Sequence, residues 1–591
     1  MKLPMLNELP TSRSMTDVFK GYNHNLRIGD GEFYDMKNLT SSHYPVLSPR
    51  GSRGVYATPT DPQGLARYDN LCYVDGSDLV VDKYPVDMGL STDAEDCPKQ
   101  LIRMGAFLII LPDKKWINLT DLTDFGNIEA SVTTSGSTTF SICKADGNAH
   151  DNVITSAGAP TITEEMESGA VDTPLWLDTS ATPHSLKQYS KSMSTWTTVA
   201  TTYVKIFSTG IGKPFEVGDG ITISGIENEQ LKDLNNTMVI QAKGDDYIVV
   251  IGICDVTVTQ NTAITVERRM PLMDFVVESQ NRLWGCRYGV ALNGEVVNEI
   301  YASKLGDFKN WQCYAGISTD SYAATVGTDG QFTGAVTHLG YPLFFKEGYL
   351  HKVYGNLPSN YQIQTTACRG VQKGSSGSLA IVNEVLFYKA RSGVCAYDGS
   401  LPQEVSYVLG EDTYSDAVAG AHGNKYYISM RNDMSEEWCL FVYDVAKGMW
   451  HKEDNTHASE FCSCRGELYY IDANDKKIKT VMGSGSTYEA KKDIEWMAET
   501  GIIGTDHPDK KYISRIDIRM SLDIDSEARF FIQYDSIGEW IPLYTMRCKS
   551  LRSFTVPIRP HRCDHLRLRI EGNGEAKIFS ITKTTEQGSE V

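Results

Sequence analysis

The 591-residue chain has no apolar run approaching the length of a membrane-spanning helix. Its longest, Phe107-Leu108-Ile109-Ile110-Leu111, is the size of a strand. The opening Met1-Lys2-Leu3-Pro4-Met5 shows none of the apolar core of a secretory signal. Cysteine usage excludes a disulfide framework. The 13 cysteines are odd in number and, apart from Cys462 and Cys464, scattered singly, many inside apolar runs such as Leu71-Cys72-Tyr73-Val74. That pattern predicts buried, reduced thiols in a protein made in a cytoplasm. Basic charge is in deficit, 56 Lys plus Arg against 75 Asp plus Glu, for a net charge of −19. A surface built to grip phosphates is therefore not expected, since such affinity rests on Lys and Arg displacing counterions. The acidity suits plain solubility, or a wall past which DNA slides. Helix signals are also rare, with Glu229–Leu234 good for a turn or two.

Recognisable chemistry is equally sparse. The 12 histidines form no metalloprotease pair, and Gly374-Ser375-Ser376-Gly377-Ser378 lacks the nucleophile-elbow pattern. Thr328-Asp329-Gly330-Gln331-Phe332 is the nearest approach to the Ser-x-Asp-x-Gly-x-Thr-Trp box of sialidase propellers, but without its spacer it reads as a hairpin turn. Asp523 and Asp525 could flank a glycosidic bond only at the right separation, and as alternate strand positions they are expected to face solvent together. The cluster Glu164, Glu165 and Glu167 has no glycine-punctuated loop of Ca²⁺ ligands and reads as a solvated acidic loop. Cys462 and Cys464, with His451 and His457 nearby, fall short of zinc-ligand spacing and sit in a strand-like run. No catalytic, cofactor-binding or metal residue is assigned, no cofactor is implied, and the chain is expected not to be an enzyme. Basic residues gather near the end, at Arg547, Lys549, Arg552, Arg559, Arg562, Arg567 and Arg569. They suit an acidic partner subunit, a glycan, or an ordinary wet sheet face.

What the chain does have is a repeat. A turn residue followed by a short aromatic or aliphatic strand recurs at 70–74, 105–109, 281–284, 341–345, 383–387, 424–428 and 466–470, the last four spaced by about 40 residues. Four-stranded propeller blades have that period, because each small sheet buries both faces against its neighbours while its turns stay wet. The fold class is therefore all-β, a β-propeller of about seven blades with an inserted β-domain and a C-terminal β-sandwich. Residues 1–20 are expected to be an N-terminal arm, 21–125 and 271–490 the propeller, and 126–270 the inserted β-domain. Insertion in a blade loop is the place the fold tolerates it. From 495 to 591, runs such as Ile513-Ser514-Arg515-Ile516-Asp517-Ile518-Arg519-Met520 alternate apolar with polar, as antiparallel sandwich strands do.

One stretch is more specific. Asn281-Arg282-Leu283-Trp284 followed by Ala302-Ser303-Lys304-Leu305-Gly306-Asp307-Phe308-Lys309-Asn310-Trp311, with Gly21-Tyr22-Asn23, Asp30-Gly31-Glu32 and Tyr44-Pro45-Val46-Leu47 upstream, resembles the tail-nozzle proteins of short-tailed bacteriophages. These are also called tail tubular protein B, tail hub or packaged-DNA stabilisation proteins. The resemblance covers about 1–125 and 270–490. It implies a structural virion protein, assembled in the bacterial cytoplasm as a hexameric ring below the portal and adaptor. Such a ring would extend the DNA channel, retain packaged DNA until ejection and carry fibres or spikes, without sequence-specific DNA binding or a membrane span. The runner-up is a host-receptor- or carbohydrate-binding tail protein in which Trp540 and Tyr544 stack on sugars. A glycan hydrolase comes third. Phe308 and Trp311 are expected to be buried at a blade or subunit seam.

Overall fold

A computed structural model describes residues 11–96, 98–255, 257–290, 294–487, 490–504, 511–547, 550–559 and 561–587. Seven small sheets form a closed ring. In chain order their first strands are Pro62–Arg67, Gln100–Met104, Phe275–Ser279, Phe332–His338, Ala380–Val382, Tyr414–His422 and Ala458–Cys464, and they define blades 1 to 7. Each first strand packs beside the next blade's, directly or through its flanking turn, and blade 7 returns to blade 1.

All seven sequence repeats fall on the second strands of these blades: Leu71–Asp75, Phe107–Leu111, Arg282–Val290, Tyr341–Lys346, Val385–Ala390, Lys425–Asn432 and Glu467–Asp472. A second strand is covered on both faces by neighbouring blades, so it reads as a continuous apolar run instead of alternating. Each seam has its own core. Cys72, Val74, Leu108 and Ile110 fill the seam between blades 1 and 2; Trp284, Cys286, Phe332 and Phe344 fill that between blades 3 and 4.

The ring is closed by an early segment. Gly54–Ala57 pairs antiparallel with Ile478–Thr480 as a further strand of blade 7. A Cβ on Gly54 would stand 2.2 Å from the Ser484 carbonyl oxygen, so only glycine lets the two ends of the propeller chain meet here. A buried ionic knot secures the closure. Arg53 reaches Glu453 and Asp454, each at 2.8 Å, and Arg50 reaches Asp454 at 3.3 Å.

Residues 21–50, expected in the propeller, pair instead with the C-terminal sandwich. Gly21–Tyr22 and Glu32–Lys37 belong to a six-stranded sheet with Glu495–Thr500, Leu566–Asn573, Glu527–Tyr534 and Ile541–Met546. Thr11–Thr16, expected in an arm with little to bury, pairs with Ala576–Gln587 at the edge of the opposing four-stranded sheet. Its side chains are almost all exposed, so main-chain hydrogen bonds hold it. Partners lying more than 450 residues away leave no trace in local composition. The sandwich core runs into that of blades 5 and 6 through Phe19, Tyr22 and Trp450. Gly21, at φ 87°, lies so close to the Trp450 carbonyl that a Cβ would sit 2.3 Å from it.

The insertion leaves blade 2 at Ile128 and returns at Met270. Its ends are clamped together by pairing of Ala130–Thr133 with Thr265–Arg268. It holds a four-stranded and a five-stranded sheet around one core, with a further small sheet over 153–198 nested within it.

Candidate functional site

The stretch with the most specific sequence pattern forms the joint between insertion and propeller. Gln280 and Asn281 both take positive φ (54° and 57°), the geometry of a tight hairpin turn that Asn tolerates. The turn delivers Arg282 into the interior, where its exposure is 1%. Its guanidinium donates to three main-chain oxygens, Ser303 at 2.7 Å, Asp320 at 2.6 Å and Ser318 at 3.1 Å. Arg282 thus folds the 303–321 loop over blade 3.

That loop presents Phe308 and Trp311 to the core between blades 2 and 3, among Ile109, Trp116, Leu283 and Met270. The Trp311 Nε1 donates to the Phe308 carbonyl at 2.9 Å. Between the two aromatics, Asn310 faces the insertion. Its Oδ1 accepts from Gly220 N at 2.8 Å and its Nδ2 donates to Asp219 at 2.8 Å and to Asp307 at 2.6 Å. Asp219 in turn receives Arg268, which also donates to the Ile128 carbonyl at 3.1 Å. The Lys304 Nζ donates to the Gly218 carbonyl at 2.9 Å. Asp219 and Arg268 are nearly fully buried, so the pair holds only because each is also hydrogen-bonded to its surroundings.

Around the propeller axis, the first strands leave an edge of unpaired main-chain groups. Neighbouring side chains satisfy several of them. Gln100 accepts from Val276 N at 3.2 Å and donates to the Asp274 carbonyl at 2.9 Å, and Ser375 accepts from Ala417 N at 3.1 Å. At the seam where blade 7 meets blade 1, Glu460 accepts from Leu65 N at 2.9 Å. Loss of hydration pushes the Glu460 carboxyl from its ordinary 4.5 up to about 8. It is therefore largely a neutral acid at neutral pH, and composition offers no hint of that.

On the six-stranded sheet, Glu499 is buried beneath two guanidiniums, Arg567 at 3.2 Å and Arg569 at 2.6 Å. Arg569 stacks over Trp540 at 4.1 Å and Arg567 over Tyr34 at 4.6 Å. The face expected to stack sugars through Trp540 therefore has that ring covered, while Tyr544 remains 45% exposed. Of the C-terminal basic residues, Arg547, Arg567 and Arg569 are paired to Glu527 or Glu499. Arg552, Arg559 and Arg562 are exposed, and Lys549 lies outside the described residues.

The other sequence candidates fall apart in space. Asp523 and Asp525 lie in the hairpin turn between Lys511–Leu522 and Glu527–Tyr534, both exposed, and not at alternate strand positions. Glu164, Glu165 and Glu167 open a short helix capped by Thr163. Cys462 and Cys464 lie on the first strand of blade 7, whereas His451 is buried on blade 6 and His457 stacks on Trp438 at 3.6 Å. Among the described residues no three of His, Cys, Asp or Glu come close enough to hold a metal ion. Ten of the described cysteines, all but Cys563, are free, and burial raises their thiols where a shift is resolved.

No family model and no curated protein matches the chain. Solved structures similar to it include an exo-β-1,3-galactanase from Phanerochaete chrysosporium, 8% identical over 52% of this chain and 94% of that one, with a TM-score of 0.20. A GH43 glycoside hydrolase engineered for endo-xylanase and exo-arabinofuranosidase activity is 9% identical over 53% and 97%, TM-score 0.20. An acylaminoacyl peptidase is 9% identical over 50% of each chain, TM-score 0.22. These likenesses concern the fold alone. They nonetheless correct the expectation that the chain is not an enzyme. The similar structures include several described as glycoside hydrolases, and that expectation is withdrawn.

Proposed function

We propose that this chain is a structural protein of a short phage tail, the nozzle or hub, forming a ring that continues the DNA channel. The observation that carries the reading is the 281–311 motif, the segment that resembles tail-nozzle proteins. Its side chains are spent on joining an inserted domain rigidly to a propeller blade. A propeller closed by its own N-terminal segment, a sandwich sharing its core and a clamped insertion make one stiff body, as a part bearing axial pressure requires. The net charge of −19 suits a lumen wall from which duplex DNA is repelled. The partners on this reading are further copies of the chain, a portal or adaptor ring, and fibres or spikes. Electron microscopy of purified particles is expected to place the chain in a ring around the channel. Labelling confined to the capsid or to fibre tips would overturn the proposal.

A second reading, a glycan-binding or glycan-hydrolysing tail protein, is favoured by Glu460. It is a carboxyl held neutral at the inner rim of a propeller, the protonation state a glycosidase acid needs. Incubating the full chain and its Glu460→Gln variant with bacterial wall polysaccharides decides this reading. Release of reducing ends by the parent and at least a hundredfold less by the variant (about the share typical of one acid catalyst) would support hydrolysis; equal rates, or none from either, would end it, and no retention of the parent on those polysaccharides would end the binding form as well.

A further inference from the structure

The outer face of the four-stranded sandwich sheet carries a charge pattern that none of the contacts above uses. Along Lys511–Leu522, Ile516, Ile518 and Met520 point into the core, so Arg515, Asp517 and Arg519 point out. Cross-strand register sets Thr584, Thr582 and Ser580 beside them on one side, and Thr555 and Ser553 on the other. Arg13, opposite Thr584, completes the face. Two of the three arginines share the Asp517 carboxylate, and the third is held by a hydroxyl. Arg515 Nε lies 2.8 Å from Asp517 Oδ1 and Arg13 Nη2 lies 3.8 Å from Asp517 Oδ2, while Arg519 donates to Ser553 Oγ at 3.0 Å. Arg13 and Arg515 remain 70% and 58% exposed.

Arg515 and Arg519 of this face belong to the one part of the chain that is nearly neutral. Residues 495–591 hold 14 Lys plus Arg against 15 Asp plus Glu, so nearly all of the −19 lies in residues 1–494. We infer that the Arg13, Arg515 and Arg519 face docks on the acidic propeller-and-insertion part of a second copy of this chain, in a head-to-tail contact. The inference rests on the ring reading above and supplies its contact, since a heterologous interface repeated around an axis closes into a ring. A nucleic acid fits this face less well. Asp517 stands in its middle, where a continuous phosphate chain would meet a fixed negative charge, and Glu586, which accepts from the Tyr512 hydroxyl, adds a second carboxylate at its edge. Separate carboxylates on a protein surface can engage each arginine and leave Asp517 to a hydroxyl or amide donor.

Sedimentation of the full chain over a range of concentrations, at low and high salt, tests the inference. The parent is expected to assemble, with assembly weakened by salt. The R13E/R515E/R519E variant should associate about tenfold more weakly or worse, with an unchanged melting temperature, because all three side chains stand on the solvent face. The R13K/R515K/R519K variant should stay close to the parent. Should the reversal variant melt early, R515Q/R519Q removes charge without adding repulsion, and its association then decides between the outcomes. Assembly of the charge-reversed chain at parental strength would overturn this face while leaving the ring intact. A parent that stays monomeric at every concentration would overturn the ring and the face together.

Discussion

Asn310 makes three hydrogen bonds with one side chain, two of them across to the insertion. Asn310→Ala would leave Gly220 N and one oxygen of Asp219 without their partner in a place water does not reach. A loss of about 1–3 kcal/mol is expected, measured by denaturant unfolding. Limited proteolysis should then cut first at the ends of the insertion. Two titratable residues, half-buried Glu460 and buried His451, predict opposite pH slopes. Glu460 binds its proton more tightly folded than unfolded, so its contribution is whole below about 4.5 and is lost as pH rises through about 8, by at most about 1.4 kcal/mol per pH unit. Burial holds His451 down from 6.5 to about 3, so its contribution is whole above 6.5 and is lost as pH falls toward 3. Melting temperature plotted against pH should form a dome. Glu460→Gln, which keeps an oxygen for Leu65 N, should flatten the alkaline limb and leave the acid limb unchanged.

Among the elements, the strand Gly54–Ala57 decides whether the ring stays shut. It arrives from the sandwich side of the chain and completes a blade whose other strands come more than 400 residues later. Arg53 immediately precedes it and is tied to Glu453 and Asp454. Arg53→Ala would take from buried Glu453 its close cation, leaving Arg50 at 3.9 Å, and would leave Asp454 to Arg50, and about 3 kcal/mol should be lost. Hydrogen exchange is expected to rise in blades 7 and 1 before the other blades, and a uniform rise around the ring would show that closure does not depend on this knot. The blade repeat was legible because central strands are apolar on both faces. The closing strand was not, since Gly54-Val55-Tyr56-Ala57 is too short to show a period and its partner is remote.

At the scale of the whole molecule, the insertion is built to be separable in sequence but not in packing. Ala130 and Arg268 are paired, so replacing 130–268 by a short Gly-Ser link should leave the blades intact by circular dichroism. The Asp219 and Gly220 contacts would be lost, however, exposing Asn310. The shortened chain should therefore melt below the parent but unfold in one transition. Loss of all β signal would mean that the insertion nucleates the propeller.

Periodicity and composition by themselves determined the all-β class, the seven repeated strands, the interruption between Phe107 and Leu283 and the alternation after residue 510. Each of these follows from local burial, which writes itself into neighbouring residues. Only the tertiary structure decided that residues 21–50 join the sandwich, that Gly54–Ala57 shuts the ring, that Glu460 packs into the seam between blades 7 and 1 and that Arg13 stands beside Arg515. Each of those depends on groups brought together from opposite ends of the chain. A residue's charge state and partners are set by what surrounds it in space, and its neighbours in sequence do not record that.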